Sequence, residues 1–197
     1  FIYLKYIISR YNHDMTPILE YAKDYVLYDR SEKPVGGSIV VPNIGSYIYD
    51  KFTFIIDNYD NLPDVAIYTK ANLFQYITKE EFEKVKDNKT FTPLLTQNHK
   101  TYEPICRYTK DGLYEEINNY WYLIQSPARH GREIKNIFKM DERKYNTFAP
   151  GSNYIIPKEN ILKHSKEFYE TLRSYLEWGV YPGDAYLLER NLFYLWS

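Results

Sequence analysis

Leu62-Pro63-Asp64, leading into Val65-Ala66-Ile67-Tyr68, constrains the fold more than any other part of this chain. Proline has no N–H to donate and drives the residue before it toward extended backbone, so a helix on its N-terminal side has to stop by about Leu62. That helix is expected over Ser46 to Asn58, where Ile48, Phe52, Ile55 and Ile56 share one face. The apolar, partly β-branched run after the turn has the length and composition of an interior strand covered on both faces. Thr69, Lys70, Ala71 and Asn72 then stand at its carboxyl end. In open α/β sheets, ligands bind in the crevice outside such strand ends.

The same alternation begins at the N-terminus. Ile2 to Ser9 reads as a strand ending in Ser9-Arg10-Tyr11-Asn12, a second polar strand end. Pro17 after Thr16 suits the first turn of a short helix to about Ala22, and Tyr25 to Tyr28 reads as a strand with Asp29 at its tip. Gly36-Gly37 marks a loop, Ser38 to Val41 a third strand, and Pro42-Asn43-Ile44-Gly45 the turn into the Ser46 helix. Thr78 with Glu81 forms a capping box ahead of a helix to about Lys86. Phe91 to Leu95 is a strand candidate, and Ile105 to Tyr108 and Leu113 to Ile117 flank the hairpin signal Lys110-Asp111-Gly112. A helix is expected within Pro127 to Met140, a strand at Ser152 to Ile156, and helices at Ser165 to Trp178 and Asp184 to Trp196. Strands alternating with helices, then a mixed second half, predict a single α/β domain over 1–197. Its central sheet is expected to be mostly parallel with an antiparallel addition and helices on both faces.

Several function classes lose support. A net charge of -1, with both signs interspersed, does not suit a protein whose main partner is a nucleic-acid backbone. Cys106 is the lone cysteine, which excludes an intrachain disulfide and a cysteine-cluster metal site and fits a reducing, cytoplasmic setting. No apolar run approaches the roughly 20 residues of a membrane span, so none is expected. The start at Phe1 is compatible with a fragment of a longer chain. Neither a dinucleotide nor a P-loop glycine fingerprint is present. His13, His99, His130 and His164 lack metal-ligand spacing. The 23 tyrosines fit core packing, and an AT-rich coding sequence would also enrich them, but each offers flat apolar area and a hydroxyl suited to sugars and nucleobases.

Four segments in order, Ile8-Ser9-Arg10-Tyr11-Asn12, Pro42-Asn43-Ile44-Gly45, Tyr59-Asp60-Asn61-Leu62-Pro63-Asp64 and Tyr186-Leu187-Leu188-Glu189-Arg190, resemble small glycosyltransferase domains encoded by large chlorella-infecting DNA viruses. They are also similar to an uncharacterised fungal and algal glycosyltransferase-like family. The resemblance implies a GT-A type fold, a UDP-sugar donor, and Mn²⁺ or Mg²⁺ as cofactor. It also implies transfer of a hexose or deoxyhexose to a glycan or glycoprotein acceptor, in the cytoplasm of an infected host. The N-terminal half would then hold the nucleotide and the C-terminal half the acceptor.

On that resemblance, Ser9, Arg10, Tyr11 and Asn12 contact uridine and pyrophosphate, with Arg10 bidentate on phosphate. Asp29 accepts from uracil or ribose. Asn43, Gly45, Lys70, Ala71 and Asn72 complete the donor site, joined by His130 if Arg129-His130-Gly131-Arg132 is a phosphate loop rather than a solvated turn. Asp184 and Glu189 are the candidate catalytic bases, with a helix N-cap and a buried ion pair to Arg190 as their structural alternatives. Trp121 and Trp178 stack on an acceptor sugar or fill the core. GT-A enzymes carry Asp-x-Asp where this chain has Lys70-Ala71-Asn72. Asn72 is left as the metal-ligand candidate, an amide oxygen being a poor ligand for a hard cation, and Lys70 is expected to bring positive charge to the leaving diphosphate. Metal dependence is therefore expected to be weaker than the family norm. A binding module that keeps the fold and donor pocket without transfer is the alternative. A nucleotidyltransferase or phosphate-ester enzyme is a more distant one.

Overall fold

The computed structural model describes residues 1–119 and 126–197. Its strands are β1 (Leu4–Arg10), β2 (Tyr25–Asp29), β3 (Ile39–Val40), β4 (Val65–Lys70), β5 (Thr92–Pro93), β6 (Cys106–Tyr108), β7 (Tyr114–Ile117), β8 (Tyr145–Thr147) and β9 (Tyr154–Pro157). Its helices are α1 (Thr16–Leu19), α2 (Ser46–Asp57), α3 (Lys79–Val85), α4 (Gly131–Phe138), α5 (Lys158–Ile161), α6 (Lys166–Ser174), α7 (Gly183–Glu189) and α8 (Leu192–Trp196). The proline turn acts as expected. After α2 comes one 3₁₀ turn at Tyr59–Asn61, then Leu62 is extended at φ -67°, ψ 145°, and β4 follows with its first five residues buried.

The main sheet has six strands in the order β3-β2-β1-β4-β9-β5. β1 runs parallel to both β2 and β4, and β3 is parallel to β2. β9 is antiparallel to β4 and to β5, which is the antiparallel addition. The chain thus winds outward from β1 to β2 and β3, then returns to lay β4 on the other side of β1. That reversal opens a crevice between the carboxyl ends of β1 and β4.

The period-2 alternation of the strands sends side chains to two separate cores. Ile7, Tyr28, Ala66, Tyr68, Tyr154 and Ile156 face α2 and the C-terminal helices, packing on Phe52, Ile55, Leu172, Leu188 and Trp196. Tyr6, Ile8, Leu27, Ile67 and Ile155 face the other way, onto Ile18, Leu73 and Phe82. Helices therefore cover both faces of the sheet. The expected hairpin forms as β6 and β7, and β8 joins it in a separate three-stranded antiparallel sheet.

Three local expectations need correction. The closing helix is two helices, α7 and α8, because Asn191 is drawn out of register. Its Nδ2 donates to the Leu187 carbonyl at 2.7 Å, while its Oδ1 accepts from Arg143 Nη2 at 2.6 Å. Of the Thr78–Glu81 capping box, the Thr78 half forms, its Oγ1 accepting from the Glu81 N–H, whereas the Glu81 carboxylate takes Lys84 Nζ at 2.9 Å. The third strand shortens to Ile39–Val40, an exposed edge that follows the Gly36-Gly37 loop.

Candidate functional site

A cleft of about 500 Å³, counting the open space at its mouth, lies where β1 and β4 end. Ser9 and Arg10 reach it from β1, Lys70 and Asn72 from the end of β4, Arg30 from just after β2, Asn43 from the turn before α2, and Ser46 and Tyr47 from the start of α2. Tyr11, Tyr47 and Tyr181 supply aromatic wall, and His13 completes one side. A cleft with two arginines, a lysine and three tyrosines suits an anionic ligand that carries a flat ring.

The cations are held by named partners. Arg10 Nε donates to the His13 carbonyl at 2.7 Å, and its Nη1 donates to Asp29 Oδ2 at 2.9 Å and Ser31 Oγ at 2.8 Å. Those bonds use the Nε proton and both Nη1 protons, so Nη2 is what a ligand can reach. The expected bidentate contact to phosphate would then have to come from the two protons of Nη2. Arg30 forms a buried ion pair with Asp50 at 2.6 Å and donates to the Ile44 carbonyl, which leaves its buried Nε without a partner. Lys70 Nζ bonds the Tyr76 hydroxyl at 2.8 Å and sits 4.1 Å from the Tyr47 ring centroid and 4.8 Å from that of Tyr76. Cation–π contacts of this kind fix the ammonium without neutralising it. Burial, with Lys70 and Arg10 nearby, lowers the His13 pKa below its ordinary value.

Asp29 does not line the cleft. It is fully buried and its carboxylate accepts from Arg10 and from the Ser31 and Val35 N–H groups at 3.0 Å each. Burial alone would raise its pKa, but the bonds from Ser31, Val35 and Arg10 outweigh it and hold the carboxyl below the usual range. Its part is to aim Arg10. Asn12 stands in left-handed backbone at φ 57° with its N–H on Ser31 Oγ. Gly45 caps α2 at φ 68°, where a Cβ would come within 2.9 Å of Leu176 Cβ, and its N–H goes to the Gly179 carbonyl. Ala71 is core, its N–H on the Ser9 carbonyl. These three shape the cleft without lining it.

His130 and Asp184 come together elsewhere. Asp184, fully buried, accepts from the N–H groups of Arg129 at 3.1 Å and His130 at 2.7 Å and from Trp178 Nε1 at 2.8 Å. It lies in the first turn of α7, whose N-cap is Pro182, and fastens the loop before α4. His130 is the N-cap residue of α4 and stacks on Tyr175 at 4.7 Å. Trp178 is bonded to Asp184 with Arg129 over its ring, and Trp121 falls outside the described residues. Glu189 does border the cleft region. Its Oε2 accepts from the Tyr47 hydroxyl at 2.7 Å, its Oε1 pairs with Arg190 at 3.1 Å, and it lines an adjoining cavity with Tyr181, Ala185 and Tyr186.

The donor set does not suit a divalent cation. Among the described residues no carboxylate lines the cleft, and no cluster of three His, Cys, Asp or Glu is arranged to hold a metal. Asn72 Oδ1 is buried without a partner, yet the groups sharing its wall are Arg10, Arg30 and Lys70. Hard cations need carboxylate oxygens, and these neighbours repel them.

Sequence reasoning missed Arg30, Tyr47, His13 and Tyr181. Arg30 directly follows a strand tip, which was the available signal for it. Tyr47 carried none beyond its place in the first turn of α2. No family model matches the chain, and neither the curated proteins nor the solved structures yield a match. The resemblance to viral glycosyltransferase domains thus rests on its four segments alone.

Proposed function

We propose that this chain is a glycosyltransferase whose cleft at the ends of β1 and β4 takes a nucleotide diphosphate sugar, UDP-linked by the resemblance. The observation that carries the reading is the placement of Arg10, Arg30 and Lys70, with Tyr11, Tyr47 and Tyr181, at the point where the sheet reverses its winding. The cations would neutralise a diphosphate, and the tyrosines would hold a base or a sugar by their faces. In the transfer, an acceptor hydroxyl oxygen bonds to the anomeric carbon. The bond from that carbon to the diphosphate oxygen breaks, and UDP leaves with the electron pair. Side-chain cations stabilise the charge that develops on the leaving group. The hydroxyl proton goes to a carboxylate, and Glu189 is the candidate because it alone of Asp29, Asp50, Asp184 and Glu189 lines a cavity here. A hexose or deoxyhexose passing to a glycan or glycoprotein is the substrate class that the resemblance suggests.

One observation favours the non-catalytic alternative, a nucleotide-sugar or glycan binding module. Glu189 already serves Tyr47 and Arg190, so its availability as a base has to be earned by movement of Tyr47. Calorimetry with UDP, and UDP release from a panel of UDP-hexoses with and without EDTA, tests both readings. We expect UDP to bind and turnover to persist in EDTA. Binding without turnover on any donor selects the binding module, and no UDP binding removes the nucleotide site.

A further inference from the structure

Lys51 projects from α2 one turn after Tyr47 into the protein beneath the cleft. It is 1% exposed and its Nζ has no hydrogen-bond partner. The Nζ lies 5.1 Å from the centroid of the Tyr47 ring, the same ring that carries Lys70 Nζ at 4.1 Å and forms cleft wall. An ammonium so placed has lost water and gained no acceptor, which favours the neutral amine.

The charges that face it come from four elements: Asp50 of α2, Arg30 after β2, Lys70 of β4 and Glu189 of α7. Asp50 and Glu189 favour the protonated form, but Asp50 is paired with Arg30 and Glu189 with Arg190. Lys70 and Arg30 oppose it. In the empty cleft Lys51 therefore has no net negative charge to answer. An anion seated against Lys70 and Arg30 reverses that balance, because it cancels the two neighbouring charges that hold the proton off.

We propose that Lys51 is a concealed cation of this anion site, neutral when the cleft is empty and protonated when an anion fills it, so that ligand binding takes up a proton. Burial brings its pKa down to about 7, which places the change in the physiological range. The inference rests on the anion-binding reading of the cleft and adds to it a dependence on pH. The cleft would hold its ligand more tightly as pH falls through the neutral range. When the anion leaves, Lys51 gives the proton back to solvent.

The test is calorimetry of UDP binding at about pH 8 in buffers of different ionisation enthalpy. At that pH a phosphate with a second pKa near 6 contributes no proton of its own. We expect uptake of a substantial fraction of one proton, and an affinity that weakens by up to about tenfold per pH unit above neutrality. Lys51→Met is close in size and removes the titrating group. It is expected to abolish the uptake and flatten the pH profile while still binding UDP. His13 also lines the cleft, so His13→Gln is the companion variant and is expected to keep the uptake. Sulfate, which does not titrate, is run alongside UDP. Uptake that survives Lys51→Met, or UDP bound with no uptake in the unmodified protein, overturns the proposal and leaves the nucleotide reading standing. Sulfate bound with uptake but no UDP binding does the reverse. Binding of neither removes both.

Discussion

The cleft at the ends of β1 and β4 and the junction around Asp184 are built from the same materials, buried carboxylates with cations and aromatic rings around them. They differ in what remains unfilled. At the junction, three donors converge on Asp184, with Arg129 resting on the Trp178 ring and His130 on Tyr175. Beside the cleft, Arg30 Nε, Lys51 Nζ and Asn72 Oδ1 are buried and unpartnered. Most buried polar groups in folded proteins are paired, so a cluster of exceptions bordering a cavity marks where a ligand would complete the structure. A saturated carboxylate marks where the fold is fastened.

The largest expected effect tests the unfilled side. Lys51 has a folded pKa of about 7 against an ordinary 10.5. Between those values the unfolded chain binds a proton that the native protein lacks, so stability rises with pH across that window. Below pH 7 the cost of burying or discharging the amine is fully present, and above 10.5 it has gone. Lys51→Met removes this contribution. Relative to the variant, the natural protein should gain about 1.4 kcal/mol per pH unit, accumulating to roughly 4–5 kcal/mol over the window. Urea unfolding of both proteins at pH 7 and pH 9 reads the difference directly. Parallel profiles would mean that Lys51 finds an acceptor and that the two regions are alike.

Next in size is the filled side. Asp184→Ala strands two backbone N–H groups and the Trp178 indole, and should cost about 3 kcal/mol or more in urea unfolding. Asp184→Asn keeps an acceptor oxygen and should cost less. Neither should change UDP affinity, since the carboxylate lies away from the cleft. A folded Asp184→Asn protein that binds UDP normally but has lost transfer would restore Asp184 as a catalytic base and blur the contrast.

The contrast also explains how much the sequence disclosed. The order of β1, β2, β4 and α2, and the polar ends of β1 and β4, were legible because proline, glycine and apolar period are local signals. Ser9, Arg10, Tyr11, Lys70 and Asn72 belong to those strand ends and do line the cleft, whereas Asn43 entered only through the resemblance. Asp29 and Asp184 look on paper like any other exposed-type carboxylate. Their commitment to Ser31, Val35, Arg129 and His130 depends on partners brought in by the turn after β2 and by packing 54 and 55 residues apart in sequence. Lys51 sits in a helix whose pattern would let a lysine face water, and only the stacking of α2 beneath the cleft buries it. Tyr47 was invisible for the same reason, whereas Arg30 carried a local signal in its place directly after the tip of β2.

The smallest expected effect separates holding from binding within the cleft itself. Arg10 has both roles, with Nε and Nη1 tied to His13, Asp29 and Ser31 and Nη2 left for a ligand. Lys70 has no carboxylate partner among its contacts, only the Tyr76 hydroxyl and two rings. Lys70→Met should therefore weaken UDP binding by about tenfold, or about 1.4 kcal/mol, with little change in stability, and should flatten the dependence of affinity on salt. Arg10→Ala should lower affinity by a similar factor but also destabilise the protein, because it leaves the buried Asp29 carboxylate short of its cation. Calorimetry at two salt concentrations beside urea unfolding distinguishes them. If Lys70→Met destabilises as much as Arg10→Ala while UDP affinity stays put, Lys70 is a fastening residue like Asp184, and the cleft has no lysine to offer an anion.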